Sequence, residues 1–498
     1  MTSNLRARLR ASAIRHANRP ALWVDGQTLT YTELFERADR LAETIGRQIE
    51  PGGGIGIYCQ RDLPSLIGIV AALLSGRSYL PLNPNFPQER LATILRLAAP
   101  RAILCGPQTL ASGIYLTEAA SGGLKAFDSA GSLHATAPGE ADQGESDGRA
   151  TLYTMFTSGT TGEPKGVRVL DDNVEAYLDG IAPIVALEET DRSSHFFDLS
   201  FDLSAHDIFV TFMAGAQLNV LPREKNMAIV SFVAERELTS WFSVPSLAAF
   251  CDRLGQIQAG SLATLRNVLF CGEPLAVSLA RKVAEAAPAA RVWNLYGPTE
   301  ATIAFTAYEL ARPDRLETMP VMPLGWPIGD QSCAIDGEMS GEFLLGGSQV
   351  TPGYLNAADL NSARFFDAPD GRRFYRTGDL VTRSEEHGYI FNGRIDDQVK
   401  INGYRVELLE IDAVLRAAAG TPEVAAIAWP PATTGQTDHV VAFVSNPTAS
   451  PADIRKQCRT LLPPYMVPRK VITLDHMPVT SSGKIDRKVL SGMLAEAK

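Results

Sequence analysis

Tyr153-Thr-Met-Phe-Thr-Ser-Gly-Thr-Thr-Gly-Glu-Pro-Lys165-Gly alternates small hydroxylated residues with glycines and ends on a lysine. A loop of this kind can gather backbone N–H groups and hydroxyls around phosphate oxygens, because glycine puts no Cβ in the way. The lysine adds a positive charge. The stretch is not a Walker loop. Counting from Gly159, the second required glycine falls on Pro164, and Gly166 stands where Ser or Thr would follow the lysine. The loop follows an apolar run, as a strand-to-loop element does.

Working outward, Gly54–Cys59 and Arg101–Cys105 are short apolar runs that read as buried strands, with a helix over Leu63–Leu74 between them. A further helix is expected to follow Thr30 and run to Ile45. Strands alternating with helices indicate an α/β domain with a largely parallel sheet. Residues 129–148 are rich in Gly, Ala, Ser and acidic side chains and read as a surface loop. From Gly388 the pattern changes to short strands around Tyr389–Gly393, a helix over Glu407–Ala418, and strands at Val424–Trp429 and His439–Val444. The fold class expected is thus α/β and α+β, with a large N-terminal domain over 1–395 and a small α+β domain over 396–498.

A chain of 498 residues is too long for one core, and 45% apolar with 20% charged residues is ordinary globular composition. A net charge of −10 argues against nucleic acid or an anionic membrane as main partner. Residues 397–498 hold 12 Lys+Arg against 10 Asp+Glu, so the negative excess lies in the rest of the chain. No apolar run reaches the ~18 residues of a membrane span, and the polar N-terminus lacks a secretory signal. Six scattered cysteines form no metal-ligand spacing, which suggests reduced thiols and a cytoplasmic location.

Other motifs accompany the loop. They are Asn294-Leu-Tyr-Gly-Pro-Thr-Glu300, Arg376-Thr-Gly-Asp379, Gly393-Arg-Ile-Asp-Asp-Gln-Val-Lys400-Ile-Asn-Gly-Tyr-Arg405 and Pro478-Val-Thr-Ser-Ser-Gly-Lys484-Ile-Asp-Arg487. Leu29–Leu34, Tyr79–Arg90, Gly341–Gly347, Gly353-Tyr-Leu and Leu462–Pro468 complete the set. In this order they resemble the adenylate-forming superfamily, and within it the amino-acid adenylation enzymes of nonribosomal peptide synthesis. The resemblance covers nearly the whole chain.

The resemblance implies two half-reactions. A carboxylate attacks the α-phosphate of ATP to give an acyl-adenylate and pyrophosphate, and a phosphopantetheine thiol then displaces AMP. It assigns Thr157, Ser158, Gly159, Thr160, Thr161 and Lys165 to the phosphates, with Asn294, Tyr296, Gly297 and Thr299 around the nucleotide. Glu300 would ligate Mg²⁺, a hard ion suited to oxygen donors. Asp379 and Arg394 would hold the ribose. Lys484 would bridge the substrate carboxylate and the transferred phosphoryl group, and Asp396 would be a hinge. Bringing a carboxylate to a polyphosphate concentrates negative charge, which is why catalysis falls to Lys165, Lys484 and the Glu300-bound metal.

The phrase Phe-Asp-Leu-Ser occurs at both 197 and 201. The later copy fits the family pattern, and places Asp202 where these enzymes hold the substrate's α-ammonium. The other pocket positions carried over are Leu203, His206, Phe242, Leu269, Cys271, Leu295, Ile303 and Ala304. Nearly all are apolar, so the substrate expected is a small neutral amino acid. Phe242, Leu269, Leu295 and Ile303 resemble the L-proline adenylating enzymes of pyrrole antibiotic pathways. Val268–Glu273 and Tyr296–Thr302 resemble D-alanine–carrier protein ligases. L-Proline is the first expectation, D- or L-alanine the second, and an acyl- or aryl-CoA ligase a further alternative. With 14 residues after Lys484, the partner expected is a separate, acidic peptidyl carrier protein.

Overall fold

The computed structural model describes residues 5–50, 52–139, 150–159, 163–310, 316, 319–430, 437–480 and 485–496. Thr160, Thr161 and Lys484 lie outside them. The chain divides into two compact units. The first comprises Met1–Pro84, Leu95–Met155 and Gly166–Ile395; the second comprises Asn85–Ile94, Phe156–Lys165 and Asp396–Lys498.

The first unit contains a nine-stranded sheet. Its consecutive strands are Trp326–Pro327, Thr306–Glu309, Arg291–Tyr296, Asn267–Phe270, Ser240–Ser243, Arg192–His195, Gln217–Val220, Pro20–Val24 and Gln27–Thr30. The six strands from Arg291–Tyr296 to Pro20–Val24 are parallel, and antiparallel strands flank them at both ends. Parallel sheets are covered on both faces, so alternate side chains enter different cores. Trp241, Val268, Phe270 and Val292 fall in one apolar cluster. Phe242, Leu269, Cys271, Trp293 and Leu295 fall in another. The pocket positions on these strands therefore share one face because their parity is the same.

A second sheet has seven strands and includes Gly54–Tyr58, Ser78–Pro81, Ala102–Cys105 and Thr151–Thr157 as parallel neighbours. The helix after Thr30 spans Tyr31–Gly46. Thr30 and Glu33 form a reciprocal capping box, which fixes its start. The helix at Leu63–Leu74 is capped by Asp62. The expected loop over 129–148 contains a strand, Leu133–Thr136, antiparallel to Lys125–Phe127. This edge strand is mostly exposed, so it shows no apolar face that alternation could reveal.

A third, antiparallel sheet of five strands includes Arg373–Ser384 and Gly388–Arg394. The change of pattern at Gly388 thus precedes the division between the units, which falls after Ile395. The second unit holds the hairpin Gln398–Ile401/Tyr404–Glu407 and the sheet Val424–Trp429, His439–Ser445, Lys470–Leu474. Helices Leu408–Ala419, Pro451–Leu461 and Arg487–Glu496 belong to this unit. Among the described residues, no helix is long and apolar enough to cross a membrane.

Gly325 and Gly388 meet backbone to backbone where the nine-stranded and antiparallel sheets join. Gly325 has φ +78°, and a Cβ there would lie 2.0 Å from the Ala307 oxygen. Gly371 has a similar φ of +82° but open space around its Cβ position. Gly325→Ala should therefore cost about 1–3 kcal/mol more than Gly371→Ala, read from urea unfolding midpoints.

Candidate active site

Ligands of open parallel sheets sit beyond the carboxyl ends of the strands. Phe242, Leu269 and Leu295 lie near those ends on three adjacent strands, with Cys271 just past one. Register pairs Phe242 with Leu269, and Leu269 with Trp293. All four named positions are fully or almost fully buried, as are Leu203, Ile303 and Ala304.

Asp202 stands at the start of the helix Leu203–Ala214 but makes no capping bond with its side chain. Its Oδ2 instead accepts the Ile303 N–H at 3.2 Å. This bond depends on an unusual backbone, since Thr302 and Ile303 have φ of +59° and +67°. Left-handed conformation is rare for β-branched residues and tends to persist at functional sites. The bend thus joins the buried carboxylate to the two wall positions Ile303 and Ala304.

His206 lies one turn along the same helix. Its Nδ1 shares a 2.5 Å hydrogen bond with the Tyr177 hydroxyl, and its ring centroid lies 4.3 Å from that of Phe242. Burial depresses its pKa to about 3. The imidazole is neutral at ordinary pH and forms a wall, so it adds no charge beside Asp202. Below it, His195 Nδ1 and Asp207 Oδ2 are 3.0 Å apart. Burial pushes the Asp207 carboxyl up and the His195 imidazole down to about 3, which leaves this pair neutral as well.

Of the expected nucleotide residues in the first unit, Tyr296, Asp379 and Arg394 come together. The Arg373–Ser384 and Gly388–Arg394 strands place Asp379 directly opposite Arg394. Arg394 binds one carboxylate oxygen of Asp379, and the Tyr296 hydroxyl donates to the other. Burial, then the Asp379 charge, pushes the Tyr296 phenol up. Glu300 is fully buried on the short turn Thr299–Ala301, and accepts the Tyr354 hydroxyl at 2.5 Å. The Asn294 amide donates to the Pro323 oxygen at 2.8 Å, a structural bond within the fold. Gly297 lies against the backbone of Ile303 and Ala304. No group of three or more His, Cys, Asp or Glu able to hold a metal occurs among the described residues. Glu300 alone still fits the expected ion, since Mg²⁺ commonly takes one or two carboxylates and completes its shell with phosphate oxygens and water.

The phosphate-loop residues Ser158, Gly159 and Lys165 belong to the second unit. A Cβ on Gly159 would lie 1.8 Å from the Glu163 oxygen, so this close approach needs glycine. The Ser158 hydroxyl donates to Arg405 O at 2.8 Å and accepts Glu407 N–H at 3.0 Å. The Gly159 N–H donates to Glu410 Oε2 at 3.0 Å, and Lys165 Nζ lies 3.5 Å from Glu407 Oε1. Arg90 completes the group through Glu410 Oε1 at 2.6 Å. Burial pushes the Glu410 carboxyl up, and Arg90 opposes that shift. These carboxylates meet donors of the kind that would serve phosphate oxygens. Thr157 ends the strand leading into the loop. Asp396 opens the segment after the division and accepts the Gln398 N–H at 3.3 Å.

Tyr177 and Glu410 are site residues that the sequence does not single out, while Arg90 and Tyr354 lie inside quoted motifs without a role assigned to them. Each acts through a contact distant along the chain, for which no local spacing gives a signal.

The model of the AMP-binding enzyme family matches residues 9–355, and that of the AMP-binding enzyme C-terminal domain matches residues 410–484. One plipastatin synthase polypeptide of Bacillus subtilis is 33% identical over 95% of this chain, which spans only 18% of that relative. A D-alanine–D-alanyl carrier protein ligase of Staphylococcus haemolyticus is 30% identical, covering 96% of this chain and 94% of the relative. Among solved structures, a Vibrio cholerae adenylation domain in complex with glycyl-adenosine-5'-phosphate superposes with a TM-score of 0.89. It is 31% identical, over 100% of this chain and 98% of that one.

The state of His206 has a consequence for stability. The unfolded chain binds its proton near pH 6.5, whereas the folded chain does so only near 3. Its contribution is fully present above pH 6.5 and is lost as pH falls toward 3. At pH 5 the loss should be on the order of 2 kcal/mol. His206→Gln should flatten the acid limb of a urea-midpoint-against-pH curve relative to the parent chain.

Proposed function

The chain belongs to the AMP-binding enzyme family, and from that premise we propose that it activates a small neutral α-amino acid as an aminoacyl-adenylate and passes it to a carrier-protein thiol. One observation carries the amino-acid reading: the buried Asp202 carboxylate, 6% exposed, accepts the Ile303 N–H at the end of a largely apolar pocket. A carboxylate in such surroundings favours a cationic guest. An α-ammonium group supplies that charge; a fatty or aryl acid does not.

In the first step a substrate carboxylate oxygen bonds to the α-phosphorus of ATP, and the bond to the β-phosphate oxygen breaks to release pyrophosphate. Asp202 anchors the substrate nitrogen. Asp379, with Arg394 beside it, receives the ribose hydroxyls, and Tyr296 lies against the base. Glu300 would hold Mg²⁺, which when bound neutralises charge on the phosphates. Ser158, Gly159 and Lys165 receive the β- and γ-phosphates, together with Thr160 and Thr161. Lys484 supplies charge where the new O–P bond forms. In the second step a thiol sulfur attacks the acyl carbon, the thiol proton leaves, and the acyl–oxygen bond breaks to release AMP. Asp396 is the hinge proposed between the steps.

Among substrates, L-proline is the first candidate. Its secondary ammonium keeps N–H donors for Asp202, and its ring suits Leu269, Leu295 and Ile303. Glycine or alanine is a second reading, favoured by the glycyl-adenylate in the similar adenylation domain and by the D-alanyl carrier protein ligase relative. The pocket's apolar walls would separate these substrates by only ~1–3 kcal/mol per methylene. ATP–pyrophosphate exchange across the proteinogenic amino acids, D-alanine, and fatty and aryl acids tests the reading. Exchange should be confined to small neutral amino acids, with proline giving the highest kcat/KM, and Asp202→Ala should lower kcat/KM for the amino acid at least a hundredfold. Exchange with fatty or aryl acids alone would overturn it.

The partner proposed is an acidic carrier protein with a phosphopantetheine arm. A cavity of about 590 Å³ in the second unit supports this reading. Its lining includes Phe86, His439, Arg455, Arg459, Tyr465 and Arg469. The surplus of arginine suits an acidic partner carrying a phosphodiester. Arg459→Glu with Arg469→Glu should raise KM for the carrier about tenfold at low salt, and leave amino-acid-dependent exchange unchanged.

A further inference from the structure

Gln349 lies outside every motif assigned a role above, yet it is fully buried against the substrate wall. Its side-chain nitrogen donates to three carbonyl oxygens in succession: Ala301 at 3.3 Å, Thr302 at 3.2 Å and Ala304 at 2.9 Å. Its own backbone oxygen accepts the Thr302 hydroxyl at 2.7 Å. Two residues on, the Thr351 N–H donates to the Glu300 oxygen at 2.9 Å. The segment 349–351 therefore clasps the whole turn from Glu300 to Ala304.

That turn contains the strained pair Thr302 and Ile303, with φ of +59° and +67°. Two consecutive β-branched residues in left-handed conformation persist only where surrounding contacts over-determine them. A shorter or apolar side chain at 349 would leave three buried carbonyls short of a donor in a site that excludes water. The backbone would then relax toward ordinary φ values. Relaxation would turn the Ile303 N–H away from Asp202 and shift both wall side chains, Ile303 and Ala304.

We infer that Gln349 is a positioning residue for amino-acid recognition: by clasping the strained Thr302–Ile303 bend it fixes the Asp202 carboxylate and the pocket wall, and so sets which amino acid is accepted. This rests on the amino-acid reading of the Asp202 pocket. Gln349 touches no reacting atom. The Gln349 amide oxygen, buried without a hydrogen bond, adds no competing anchor, so its NH2 group orients the side chain.

The test is Gln349→Met, which keeps length and removes the donors, with Gln349→Glu, which aims a carboxylate at the same carbonyls. ATP–pyrophosphate exchange is measured over a panel of small neutral amino acids, alongside thermal unfolding. Gln349→Met should raise KM for the preferred amino acid at least tenfold and leave KM for ATP within twofold. It should also narrow the kcat/KM gap between the best substrate and its neighbours. Gln349→Glu should be at least as impaired. Thr302→Gly removes one of the two strained residues together with its hydroxyl bond to Gln349 O, so the double variant Thr302→Gly/Gln349→Met should lose less relative to Thr302→Gly than Gln349→Met loses relative to the parent. An unchanged amino-acid KM and substrate ranking would overturn the inference, as would amino-acid and ATP KM rising together with a fall in melting temperature. A parent chain with no amino-acid-dependent exchange would sink the amino-acid reading as well. An active parent with an indifferent Gln349→Met would sink only this one.

Discussion

A carboxylate buried among hydrocarbon side chains constrains everything around it. Asp202 accepts the Ile303 N–H, which belongs to a residue in a disfavoured conformation. The bond therefore ties electrostatics to backbone geometry. Parity along the parallel strands supplies the walls, because Phe242, Leu269 and Leu295 must all face the same core. His206 closes one side without adding charge, since burial holds it neutral. Under the proposed function, the Asp202 carboxylate would select for a cationic nitrogen more strongly than these walls select for any side-chain shape.

The nucleotide side shows a different balance. Asp379 is held by Arg394 and the Tyr296 hydroxyl, and Glu300 by the Tyr354 hydroxyl, so each acidic group has its geometry set by neighbours. In the second unit, Glu407 and Glu410 meet Ser158, Gly159 and Lys165. Phosphate oxygens directed there would have to compete with the Glu410 carboxylate at Gly159 N–H, the Glu407 carboxylate at Lys165 and the Arg405 carbonyl at Ser158. The loop's donor array is therefore available to anions in general. Under the proposed function, preference for a triphosphate would come from the number of contacts, since one N–H or one lysine does not distinguish the anions.

The elements legible in the sequence were those with a local cause. Leu63–Leu74 follows from its apolar run and its Asp62 cap, and Val424–Trp429 from turns on either side. The strand at Leu133–Thr136 was missed because three of its four residues are exposed, which leaves nothing to alternate. In the candidate site the Tyr296, Asp379 and Arg394 cluster was legible because its members lie in short contiguous motifs. Tyr177 and Gln349 were not. Each reaches a partner far along the chain, and a lone tyrosine or glutamine in a sequence carries no mark of what it will touch.

This contrast also separates the class of substrate from its identity. One buried charge distinguishes an ammonium-bearing acid from a plain acid by several kcal/mol, because an unmatched ion in an apolar site is costly. Among glycine, alanine and proline that charge is matched equally well. Only methylene contacts and the exact placement of the wall remain, at ~1–3 kcal/mol per methylene. Placement depends on the Thr302–Ile303 bend, which is held by hydrogen bonds from outside the pocket. Two chains with the same pocket residues could then rank small amino acids differently if the support behind this bend differed. Pocket composition can indicate the chemistry of the guest, while its size is set by the packing behind the wall.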